Sequence, residues 1–75
     1  MLDSDFILNS IKLRINEALD NNKTIAKTDI FPIDEYSEKI FYEVAEELRK
    51  ENYNLACIVD HRGGTVFYTA TWENV

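Results

Sequence analysis

One cysteine, one histidine, one proline and two glycines are all that 75 residues contain of the types that usually mark chemistry or chain reversal. A lone thiol, Cys57, excludes an internal disulfide, and with a single imidazole it falls short of the four ligands of a structural zinc site. With so little glycine and proline there is no linker or low-complexity segment, and residues 1–75 read as a single domain. No apolar run approaches the ~18 residues of a membrane span. The opening "MLDSDFILNS" carries acids where a secretory leader has a basic region, so a cytoplasmic setting is expected. Bases are scarce as well: eight against 14 acids leave a net charge of −6. That balance argues against direct binding of nucleic acid or anionic membrane. What is abundant is apolar surface, 45% of residues with 12% aromatic, enough for a core. At this length only ~60% of the unfolded surface is buried on folding, and self-association is a common supplement.

The apolar residues fall into periodic runs. In "DSDFILNSIKLRINEALDNN", Ile7, Ile11, Ile15, Ala18 and Leu19 recur at spacings of three and four, the stripe of an amphipathic helix. Asp3 or Ser4 suits the N-cap, Asp5 suits the positive end of the dipole, and Asn21 and Asn22 tolerate the left-handed ending. Phe6, Leu8 and Leu13 lie off the stripe, so cover from more than one side is expected. A short strand is predicted around Thr24 to Thr28, and a loop at Pro32. A second helix is predicted from an Asp34 cap to about Glu51, with Tyr36, Ile40, Val44 and Leu48 as its inner ladder, widened by Phe41 and Ala45. Asn52 is expected to close it in a left-handed conformation, with Tyr53 folding back toward Leu48.

Two β runs follow, "YNLACIVD" and "TVFYTATW", joined by "HRGG". Pairing Asp60 with Thr65 places Val59 opposite Val66, Ile58 opposite Phe67 and Cys57 opposite Tyr68. Leu55, Cys57, Val59, Val66, Tyr68, Ala70 and Trp72 then share the core face. Ala56, Ile58, Asp60, Thr65, Phe67, Thr69 and Thr71 share a half-exposed one. The expected fold is α+β in the order α-β-α-β-β, a three-stranded sheet containing antiparallel pairs with two helices on one face.

The stretch "DHRGG" gathers the rare residue types. A general base at His61 oriented by Asp60 is disfavoured, because successive strand residues point to opposite faces. The glycines suit a tight turn that needs positive φ. His61 and Arg62 are then an exposed tip, a secondary contact for a partner or, with the glycine backbone, for an anionic small ligand or nucleotide. Cys57 on the inward face reads as an inert buried thiol.

Charge is concentrated elsewhere. Residues 1–28 hold four acids and four bases; residues 29–51 hold eight acids against Lys39, Arg49 and Lys50, net −5; the remainder adds −1. Glu35, Glu38, Glu43, Glu46 and Glu47 line the predicted second helix, partly offset by the i, i+4 pairs Glu35–Lys39 and Glu46–Lys50. Tyr42 falls in the polar arc among them, where an aromatic side chain makes a contact anchor. Glu35, Glu38, Tyr42, Glu43, Glu46 and Glu47 are therefore the candidate partner-binding face, complementary to a basic protein surface and able to mimic nucleic-acid charge. Ile58 and Phe67, neighbours on the open side of the sheet, are the candidate face for a homodimer or larger oligomer. Neither a nucleophile–base pair nor a phosphate-cradling loop is recognisable, so an enzyme is not expected, nor is a cofactor or metal.

The order α-β-α-β-β, the helix closing as "LRKENYN" and the terminal "YTATW" resemble a loose class of very small proteins encoded by bacteriophages and prophages. That resemblance implies a stoichiometric inhibitor of a host or defence protein, acting in the host cytoplasm, and carries over no particular residue. A ligand-binding oligomer and a structural or assembly protein are the alternatives.

Overall fold

A computed structural model describes residues 3–73. Helix α1 (Ser4–Asp20) leads through strands β1 (Ile25–Lys27) and β2 (Phe31–Pro32) and a 3-10 turn (Ile33–Glu35) to helix α2 (Glu38–Arg49). The hairpin of β3 (Asn54–Asp60) and β4 (Thr65–Thr71) follows. The fold is α+β, with both helices packed on one face of an antiparallel sheet.

β4 is the central strand. β3 pairs along one edge in the expected register, from Asn54 opposite Thr71 to Asp60 opposite Thr65. β1 and β2 both pair along the other edge. Four strands are thus present where three are predicted, because the first edge strand is interrupted. Lys27 lies opposite Thr69 and Phe31 opposite Val66. Thr28, Asp29 and Ile30 therefore span a length that Phe67 and Tyr68 cover on β4, which is a β-bulge with one extra residue. The buried Thr28 bridges the break: its N–H donates to the Tyr68 carbonyl at 2.9 Å, and its hydroxyl accepts from the Tyr68 N–H at 3.0 Å. Removing that hydroxyl would leave a buried amide unpaired, at a cost of about 1–3 kcal/mol.

Pro32 belongs to β2 rather than to a loop. Phe31 and Ile33 turn their backbone groups inward, shown by the Ile33 N–H bonded to the Gly64 carbonyl at 2.9 Å. Proline's missing N–H thus falls on the outer side, where no ladder bond is lost.

Both helices close the same way. Asn22 (φ 57°) and Asn52 (φ 68°) take the left-handed position. Beyond them the Lys23 N–H donates to the Ala18 carbonyl at 2.8 Å, and the Tyr53 N–H to the Leu48 carbonyl at 3.0 Å. These are Schellman endings with asparagine in place of glycine. At the front of α1 the Asp3 carboxylate accepts from the Phe6 N–H at 2.8 Å.

The start of α2 differs from expectation. Asp34 and Glu35 sit in the 3-10 turn, Tyr36 is extended (φ −74°, ψ 136°), and Ser37 is the N-cap. Tyr36 still packs against the core, but from ahead of the helix.

The core joins Ile7, Ile11, Ile15 and Ala18 of α1 to Val44 and Leu48 of α2 and to Ala26, Tyr68 and Ala70 of the sheet. Truncating one of the buried isoleucines to alanine would cost about 2–5 kcal/mol. Leu8 does pack against this core, and Phe6 meets Phe31 edge-on with ring centres 6.2 Å apart. Leu13 is exposed, and so is Leu19, which lies at the margin of the stripe. Val59, predicted inside, is 36% exposed while its partner Val66 is fully buried. The difference follows from position: Val59 is on an edge strand near the hairpin tip, Val66 on the central strand with a neighbour on either side. Trp72 is half-buried and packs edge-on against Tyr53.

Candidate functional site

Helix α2 carries its apolar ladder inward, which leaves Tyr42, Glu43, Glu46 and Glu47 on the outside. α1 lies alongside, and its first two turns approach this outer arc. Between them runs an open groove of about 780 Å³, lined by Ser4, Asp5 and Leu8 from α1 and by Lys39, Tyr42, Glu43, Val44, Glu46 and Glu47 from α2. Leu8 and Val44 give it an apolar floor. Tyr42, 66% exposed, forms part of its rim with its ring edge-on to Phe41 at 5.5 Å.

The ionic arrangement within the groove is uneven. Arg49 donates to the Glu46 carboxylate at 2.6 Å and Lys50 to Glu47 at 3.0 Å. These i, i+3 pairs replace the predicted Glu46–Lys50 pair, and the Glu35–Lys39 pair is lost because Glu35 precedes the helix. A further pair, Lys12–Glu51 at 3.2 Å, ties α1 to the turn that closes α2. Among the described residues Asp5 and Glu43 have no ion-pair partner, and both face the groove with Lys39 as its one cationic side chain. The groove therefore presents an excess of negative charge above an apolar floor.

Of the six predicted residues, Tyr42, Glu43, Glu46 and Glu47 line the groove. Glu35, half-buried in the 3-10 turn, and Glu38, exposed in the first turn of α2, do not. Ser4, Asp5 and Leu8 join that face from α1, a juxtaposition the sequence does not predict. The only sequence signal for them was Leu8, an apolar residue off the main stripe of α1.

The hairpin tip is built otherwise. One Asp60 carboxylate oxygen accepts from the N–H groups of both Arg62 and Gly63, each at 3.0 Å. The amides that an anion would use are thus already engaged by a carboxylate of the same loop. Gly64 has φ +65°, as a tight loop requires, whereas Gly63 does not. Gly63 is needed for space, since a Cβ there would come within 2.7 Å of the Asp60 carboxylate. Asp60 is turned toward the loop backbone, and His61 and Arg62 are exposed.

Cys57 is half-buried, and burial pushes its thiol pKa upward, away from the thiolate needed for nucleophilic work. Tyr68 is fully buried, its hydroxyl has no partner among the described residues, and burial pushes its pKa up to about 12. Tyr36 is raised as well, by desolvation and then by neighbouring Cys57 and Glu38. Ile58 (46% exposed) and Phe67 stand side by side on the open sheet face, as their pairing requires. Among the described residues no cluster of side chains is placed to hold a metal ion, and no helix is long and apolar enough to cross a membrane.

No protein-family model, no curated protein and no solved structure matches this chain.

Proposed function

We propose that this chain is a non-enzymatic binding protein whose groove between α1 and α2 receives a basic, partly apolar segment of another protein. The observation that carries this reading is the pairing of Asp5 and Glu43, neither in an ion pair among the described residues, with a floor of Leu8 and Val44 and a rim formed by Tyr42. Lysine and arginine side chains suit such a groove, because their long stems cover apolar surface while their heads meet carboxylates. An exposed aromatic at the rim adds a contact of the kind that dominates interface energetics. A phage-encoded inhibitor acting in a host cytoplasm is the biological setting that fits a small acidic binder of this kind.

The test is calorimetric titration with an amphipathic peptide rich in lysine and arginine, against wild type and the double variant Asp5→Lys, Glu43→Lys. Wild type is expected to bind with an affinity that falls as salt rises, and the charge-reversed protein to bind at least about tenfold more weakly, a difference of 1.4 kcal/mol. Equal binding by both proteins would overturn the reading.

A further inference from the structure

The two edges of the sheet are finished differently. On the β1–β2 edge, a bulge, Pro32 and the exposed Lys27 occupy the outer side, the devices by which edge strands avoid pairing with another chain. β3 has none of them. Its seven residues are regularly paired to β4, and from Asn54 to Val59 they include no charge, no proline and no glycine.

Which backbone groups β3 offers follows from the ladder. Tyr68 directs its N–H and C=O toward Thr28. Its neighbour Phe67 therefore directs its own toward Ile58, the residue opposite. Ala56, Ile58 and Asp60 thus face β4, and Leu55, Cys57 and Val59 turn three N–H and three C=O groups outward. None of these six has a hydrogen-bond partner among the described residues.

We infer that β3 pairs with β3 of a second copy, antiparallel about a two-fold axis at Cys57. Only this register satisfies all six outward groups, through the pairs Leu55–Val59, Cys57–Cys57 and Val59–Leu55. It sets Asn54 opposite Asp60 and keeps the two Asp60 carboxylates apart. Ala56 and Ile58 meet on the open face, extending the apolar patch of Ile58 and Phe67 across the axis. α2 packs over β3, so the two copies of α2 run antiparallel side by side. The flank each turns to the other lies opposite the Glu43–Glu47–Glu51 row that borders α1, and consists of Glu38, Phe41, Ala45 and Arg49. Glu38 of one copy then lies toward Arg49 of the other, so the acidity of the chain does not oppose the contact. The blocked β1–β2 edge stops addition at two copies, giving a closed dimer instead of a fibre. Both acidic grooves stay open on the outer flanks.

Sedimentation velocity over a wide concentration range tests this, with Val59→Pro as the variant. Proline at that position removes an outward N–H and leaves the β4 ladder intact. Wild type is expected to pass from monomer to dimer as concentration rises, and the variant to remain monomeric with the wild-type circular dichroism spectrum. Should the variant fail to fold, amide exchange of the wild type decides: the Leu55, Cys57 and Val59 amides are expected to be slow in concentrated and fast in dilute protein. A wild type that stays monomeric, a folded variant that dimerises equally, assembly beyond two copies, or exchange independent of concentration would each overturn the inference.

Discussion

The hairpin tip and the groove between the helices both concentrate polar residues, yet they use them in opposite ways. At the tip, the Asp60 carboxylate is bonded to the Arg62 and Gly63 amides, and the glycines answer to the same carboxylate and to a left-handed turn. Its polar groups are directed at one another. In the groove, Asp5 and Glu43 face open space and neither forms an ion pair among the described residues, with Lys39 the one cationic side chain of the lining. Rare residue types therefore mark a structural necessity here, and the proposed binding role rests on common ones left without an ion pair beside apolar surface.

Changes at the two places should separate stability from binding. The largest effect is expected from Tyr42→Ala: a loss of about 2 kcal/mol in peptide binding, seen by calorimetry, with stability changed by less than about 0.5 kcal/mol because the ring is mostly exposed. Asp60→Ala should do the reverse. Loss of its two backbone bonds should lower stability by about 1–2 kcal/mol in urea unfolding while peptide affinity stays at the wild-type value. Gly64→Ala, which forces a Cβ into positive φ, is expected to cost about 1 kcal/mol by the same measure, again without touching the groove. A fall in affinity with either tip variant would break the separation.

The smallest effect comes from beneath both regions, on the central strand. Tyr68→Phe removes a buried hydroxyl that has no partner among the described residues and should be neutral or stabilising by up to about 1 kcal/mol. It should also change the alkaline limb. A phenol or thiol whose folded pKa is raised contributes stability that is complete below its unfolded pKa and lost as pH rises through the folded value. For wild type the decline therefore begins near pH 9 with Cys57, is joined by Tyr36, and continues to about pH 12 with Tyr68. The variant should lose the upper part of that decline, which urea midpoints measured across the alkaline range would show.

Much of the fold was legible because periodicity reports burial. Spacings of three and four located α1 and the body of α2, alternation gave the β3–β4 register pair by pair, and Asn52 announced its own conformation. The departures share a cause, since each depends on a neighbour remote in sequence. The bulge at Thr28 is set by β4, forty residues away along the chain. The start of α2 at Glu38 goes with an extended Tyr36 that packs into the core ahead of the helix. Val59 is exposed because it lies on an edge strand near the hairpin tip, whereas its partner Val66 on the central strand is buried, a distinction that alternation cannot express. The candidate site was half visible for the same reason. Tyr42, Glu43, Glu46 and Glu47 lie on one helix and follow from its geometry, but Asp5 and Leu8 join them only through the packing of α1 on α2.

The most direct measurement is a chemical-shift titration of the isotope-labelled protein with the basic amphipathic peptide. Perturbations are expected to concentrate at Asp5, Leu8, Tyr42, Glu43, Glu46 and Glu47, with His61 to Gly64 unmoved. Perturbations centred on the hairpin tip, or spread evenly over every acidic residue, would contradict it.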